Sequence, residues 1–103
     1  MTESEIRFNY EKSMKQAEEL KQIAQSLSKV STNQLSECLG KIEKNWSGDN
    51  SDAYRKKGVK LQGKIETSAK GVKLAAESIE TMARNIYRAE MAALEATRRR
   101  KHR

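Results

Sequence analysis

General acid–base chemistry needs a histidine or converging carboxylates, and this chain offers little of either. Its single histidine, His102, belongs to the terminal run Arg98-Arg99-Arg100-Lys101-His102-Arg103. That run carries five permanent cations and no apolar group, so it reads as a tail that frays into solvent. The Asp and Glu residues are scattered over what read as polar helix faces and do not gather toward a pocket. No glycine-rich phosphate loop and no zinc-like spacing of ligands occurs. The one cysteine, Cys38, has no partner for an internal disulfide and falls at helical spacing with Leu35, Leu39 and Ile42, which reads as a small core residue. The chemistry expected is therefore recognition, with no catalytic residue, no metal and no cofactor.

The elements that position recognition residues follow from apolar spacing. Trp46, the only tryptophan, stands near the midpoint of 103 residues in Trp46-Ser47-Gly48, between two long amphipathic patterns that no proline interrupts. The first pattern runs from about Ser4 to Asn45 through Ile6, Tyr10, Met14, Ala17, Leu20, Ile23, Leu27 and Val30. After Val30 its phase slips across Ser31, Thr32, Asn33 and Gln34, and it resumes at Leu35, Cys38, Ile42 and Trp46. The slip predicts a bend or a break, with one of Ser31, Thr32 or Asn33 as a new N-cap. The second pattern is a heptad seam: Leu61, Ile65, Ser68, Val72, Ala75, Ile79, Met82, Ile86, Ala89 and Ala93, extended backward to Gly58 and Tyr54. Between the patterns, Gly48-Asp49-Asn50-Ser51-Asp52 supplies turn and capping chemistry.

These signals predict an all-α, antiparallel two-helix hairpin over residues 1–97, with a basic flexible tail at 98–103. With 36% apolar and 34% charged residues and only five aromatics, its core must be narrow and aliphatic. Two helices share one interface and leave apolar stripe uncovered, so a second copy or a similar hairpin is expected to complete a four-helix bundle dimer. Leu20, Leu27, Leu61, Ile65, Val72, Ile79, Met82 and Ile86 are the expected interface residues. Charge is uneven: residues 1–52 hold seven Lys and Arg against nine Asp and Glu, a net of −2, and residues 53–103 hold fourteen against five, a net of +9. This favours antiparallel pairing within the chain and leaves a positive excess for a partner.

The stretch Trp46-Ser47-Gly48-Asp49-Asn50-Ser51-Asp52-Ala53-Tyr54 resembles the WXG family of hundred-residue, early secreted antigen-like proteins of type VII (ESX) secretion. A central Trp-x-Gly between two helices, an aromatic eight residues beyond the tryptophan and the total length carry the resemblance over essentially the whole chain. It implies a secretion substrate that pairs with itself or with a related helical protein. It equally implies an export partner that escorts a larger toxin by pairing with that toxin's N-terminal helical domain. Either role involves a membrane-bound type VII ATPase, and export from the cytoplasm without a cleaved signal peptide; the start Met1-Thr2-Glu3-Ser4-Glu5 lacks the pattern of such a signal. The resemblance places Trp46, Gly48 and Tyr54 at the hairpin end. Family members often carry Tyr-x-x-x-Asp/Glu after the second helix; here Tyr87 has Glu90 at three residues and Met91 at four, so Tyr87 and Glu90 form only a loose version of that export element.

The rival reading is a basic helical nucleic-acid-binding protein. A pI near 9.7 and the run Arg55, Lys56, Lys57, Lys60, Lys64, Lys70 and Lys73 could neutralise phosphates, but no recognition-helix motif or interleaved stacking aromatic accompanies them. Contact of the tail with anionic lipid is a third reading.

Overall fold

With no proline in the chain, nothing covalent stops a helix once it starts. The computed structural model describes residues 1–45 and 48–101, and the backbone alone of residues 49–51. Helix α1 spans Glu3–Lys29, a six-residue π-helical turn follows at Val30–Leu35, α2 spans Ser36–Asn45, and α3 spans Asp49–Lys101. The fold class is all-α, as the apolar spacing predicts. Thr2 starts α1: its hydroxyl accepts the Glu5 amide at 3.2 Å, satisfying a first-turn donor. Before α3, Gly48 has φ +98°, a left-handed conformation open to glycine and strained for other residues, and its carbonyl accepts the Asp52 amide at 3.2 Å. Trp46 and the capping side chains of Asp49, Asn50 and Ser51 lie outside the described residues.

The phase slip after Val30 is real, but its form differs from a capped break. The helix continues through the π turn, whose flanking residue Lys29 is itself α-helical and makes no side-chain cap. A π turn admits one extra residue, which rotates everything after it by about 100°. Leu39 therefore turns inward where unbroken spacing would place Cys38, and Cys38, expected in the core, is exposed.

The chain divides into two compact units, residues 1–20 with 74–103, and residues 21–73. In the first, Glu3 meets Arg98 and the Tyr10 ring meets that of Tyr87, so the two segments run antiparallel. Its buried residues are Ile6, Ala17, Ala76 and Ala83. In the second, Ser31 meets Gln62 and Glu43 meets Arg55, again antiparallel, and the buried residues are Ala24, Ser31 and Ala69. Heptad spacing links Ala17, Ala24 and Ser31 on one side and Ala69, Ala76 and Ala83 on the other. Side chains this small are fully covered only where two helix backbones approach closely, and that approach leaves larger apolar residues at the flanks of the seam.

Polar groups fix the register of the second unit. Ser31, fully buried, shares its one hydroxyl proton between the Gln62 carbonyl at 3.2 Å and the Glu66 carboxylate at 3.3 Å. Gln62 Nε2 returns bonds to the Ser31 carbonyl at 2.8 Å and to the Ser36 hydroxyl at 2.7 Å. The π turn thus presents a carbonyl sideways to the opposite helix, and a shift of either segment would leave a buried group unpaired.

Glycine spacing in this unit gives a direct test of the close approach. A Cβ on Gly58 would overlap the end of the Leu39 side chain and lie 3.2 Å from its Cγ, whereas a Cβ on Gly63 or Gly71 meets nothing within 4 Å. Gly63→Ala and Gly71→Ala should each raise stability by about 0.5–1 kcal/mol, the usual helical advantage of alanine over glycine. Gly58→Ala should gain none of it, because Leu39 must leave its rotamer. Urea midpoints compare the three, and an equal gain at Gly58 would mean that Leu39 yields without cost.

Candidate pairing surface

The buried row of α3 is Ala69, Ala76 and Ala83, with half-buried Gln62 and Glu90 continuing it at the same spacing. This corrects the heptad seam read from sequence. Of the expected interface residues, Ile65, Val72 and Ile79 are half-buried, whereas Leu61, Met82 and Ile86 are 51%, 55% and 59% exposed. Ser68, Ala75, Ala89 and Ala93 of the same seam are exposed as well. At about 100° per residue, a position one before the buried row, such as Leu61 or Met82, is turned a quarter-circle out of the helix pair, with Ile65, Val72 and Ile79 between. In each unit the residues of the expected seam thus form an apolar strip beside the intrachain contact and not within it.

On α1 the same offset recurs. Leu20 and Leu27 are half-buried, and Ile23 and Val30, read as core, are exposed because each precedes a buried small residue, Ala24 or Ser31, by one position. Two antiparallel helices are related by a local twofold axis, which carries an offset of one sense on the first helix onto the same side of the pair on the second. In the unit of residues 21–73, Ile23, Leu27 and Val30 therefore share a side with Leu61, Ile65 and Val72. In the other unit, Leu20 shares a side with Ile79, Met82 and Ile86.

Charge borders this surface unevenly. Residues 21–73 hold eleven Lys and Arg against five Asp and Glu, a net of +6, while the other unit holds ten against nine. Lys57 and Lys64, four before and three after Leu61, edge the apolar strip, and Lys56, Lys60 and Lys70 lie behind it. Arg55 makes a 3.6 Å ion pair with Glu43.

Tyr87 is half-buried against Tyr10, with ring centroids 4.9 Å apart and planes tilted by 41°. Tyr87 and Glu90 do come together, on the wall of a cavity of about 140 Å³ shared with Met1, Ile6 and Ile86. Tyr54 is 55% exposed near the start of α3. At the other end, α3 extends to Lys101, so Arg98, Arg99, Arg100 and Lys101 are helical where fraying was expected. Arg98 donates to Glu3 at 3.1 Å, and with Arg7 it holds the Glu3 carboxyl below the ordinary carboxylate range. The contribution of this pairing is present above the ordinary carboxyl pKa and fades as acid protonates Glu3. His102 lies outside the described residues. Among those described, no three His, Cys, Asp or Glu residues are placed to hold a metal, and no helix is long and apolar enough to cross a membrane.

Sequence reasoning missed one grouping, Arg7, Tyr10, Arg84, Tyr87 and Arg88, which line a common cleft. The i, i+4 spacing of Arg84 and Arg88 was its only local signal. Comparison of the chain with protein-family models, with curated proteins and with solved structures finds no match.

Proposed function

We propose that this chain is a small, non-enzymatic protein of type VII secretion that completes a four-helix bundle with a second helical hairpin. It is made in the cytoplasm and leaves without a cleaved signal, either as cargo or as the escort of a larger toxin whose N-terminal helices supply the other half of the bundle. The observation that supports this is the apolar strip: Leu61, Met82 and Ile86 lie at seam spacing on α3 yet more than half exposed. Apolar residues repeated in this way and left at the surface mark an interaction site. The Trp46-Ser47-Gly48 motif and Tyr54 give the reading its secretion class. Tyr87 and Glu90 would then serve as a weak export element, or the signal would come from the partner.

The partner can be a second copy or a related hairpin, and Lys57 and Lys64 beside the strip favour one with acidic groups at its rim. The mass of the purified chain by light scattering, alone and co-expressed with its genomic neighbours, at low and high salt, tests the reading. A salt-resistant dimer, or a stable one-to-one complex with a neighbour that a type VII ATPase exports, is the expected result. A monomer indifferent to every neighbour would overturn it, and nucleic acid that co-purifies and is released by salt would establish the rival.

A further inference from the structure

Unit 1, residues 1–20 with 74–103, holds a second cleft beside the Tyr10–Tyr87 pair. It is an open cleft of about 440 Å³, lined by Arg7, Tyr10 and Glu11 of α1 and by Arg84, Tyr87 and Arg88 of α3. Arg84 and Arg88 follow Met82 and Ile86 by two positions, a rotation of about 200°, so the cleft opens away from the apolar strip and stays accessible when a partner covers that strip.

Its cations are not balanced from within. Arg84 and Arg88 are like charges one turn apart, an arrangement that disfavours a helix. Among the described residues, neither makes an ion pair, and Glu11 is paired with none of the three arginines. Arg7 is the one fixed in place: its Nη2 donates to Glu3 Oε1 at 2.9 Å. The other Glu3 oxygen accepts from Arg98 at 3.1 Å, so one carboxylate is divided between two guanidiniums. The remaining N–H donors of Arg7 are left for another acceptor.

We propose that this cleft binds a phosphate group, carried by free phosphate or by the headgroup of an anionic phospholipid. Guanidinium forks match phosphate oxygens in pairs, and here they come from both helices, with two tyrosines at the wall. A single carboxylate has too few oxygens to engage three such forks, whereas inorganic phosphate offers four and the phosphomonoester headgroup of phosphatidate three. Glu11 opposes the ligand from the cleft wall and sets a limit on affinity.

The test uses the full chain, isotope-labelled, titrated with inorganic phosphate at constant ionic strength while the arginine side-chain and tyrosine ring resonances are followed. Sedimentation with phosphatidylcholine vesicles that contain phosphatidate, and with pure phosphatidylcholine vesicles as control, runs in parallel. The expected result is saturable binding in one arm, with shifts confined to Arg7, Arg84, Arg88 and the two tyrosines. The arm in which it occurs identifies the source of the phosphate. Arg84→Gln with Arg88→Gln should weaken it by about tenfold or more, the scale of one lost charge-assisted bond. Glu11→Gln should tighten it, an effect that general loss of structure cannot produce, and circular dichroism confirms that both variants keep their helix content. No saturable binding in either arm overturns the proposal. So does binding that survives in the double arginine variant or that follows Lys56 and Lys60 instead.

Discussion

Ala76→Leu should be the most damaging single substitution in the unit of residues 1–20 and 74–103, lowering its stability by about 3 kcal/mol, the upper end of the usual cost of overpacking. Ala76 has no exposed surface, and two further buried residues of its unit, Ala17 and Ala83, are alanines as well, Ala83 one heptad further along α3. Three added carbons have no void to enter, so the helices must separate and give up the contacts of Ala17 and Ala83 together. Ala75→Leu, one position away and exposed, adds the same carbons at the edge of the apolar strip and should leave stability nearly unchanged. Thermal melts followed by circular dichroism, at matched protein concentration, compare the two. For a domain of this size the loss at Ala76 corresponds to a drop in Tm of roughly 12–24 °C. Equal melting of the two variants would mean that the alanine row is not the seam.

The same alanines explain how far the sequence could be read. Helix type and reversal were legible because apolar spacing recurs along both patterns, apart from the slip after Val30, and because Gly48 stands where the chain must leave one helix for the next; the continuation of α3 to Lys101 was not. The face that each helix buries was legible only in part: on α1 the expected Ile6 and Ala17 are buried, and Tyr10, Met14, Leu20 and Leu27 are half-buried. Hydrophobic periodicity weights the largest side chains, and it found Leu61, Ile65, Val72, Ile79 and Met82 on α3. Closely packed helices select the smallest side chains for their contact, so the true row is Ala69, Ala76 and Ala83, four residues after Ile65, Val72 and Ile79 and, at Ala83, one after Met82. On α1 the same displacement moves Ile23 and Val30 to the surface and brings Ala24 and Ser31 inward. Cys38 was misplaced for a different reason. The polar run from Ser31 to Gln34 announced a disturbance, but only the Gln62 amide bound to the Ser31 carbonyl explains why it takes the form of a π turn. That partner is 31 residues away and leaves no local mark in the sequence.

Under the proposed pairing, the displacement of the strip from the alanine row separates folding from association, and this yields the second large effect. Leu61→Asp combined with Met82→Asp should leave the helix content and melting of the isolated chain almost unchanged, since both side chains are already more than half exposed. In a bundle these positions would lie under a partner's apolar face, where two unpaired carboxylates lose their hydration with nothing in return. A loss of 2–5 kcal/mol or more is the order expected for uncompensated buried charge, enough to weaken association by about thirtyfold to several thousandfold. Lys57→Glu and Lys64→Glu, at the rim, should slow association and change its salt dependence far more than they change the dissociation rate. Measured on the complex identified by light scattering, this contrast assigns the apolar strip to partner recognition and the lysines to steering. If the aspartate pair instead unfolds the isolated chain, the strip belongs to its own core; if association is untouched, the partner binds elsewhere.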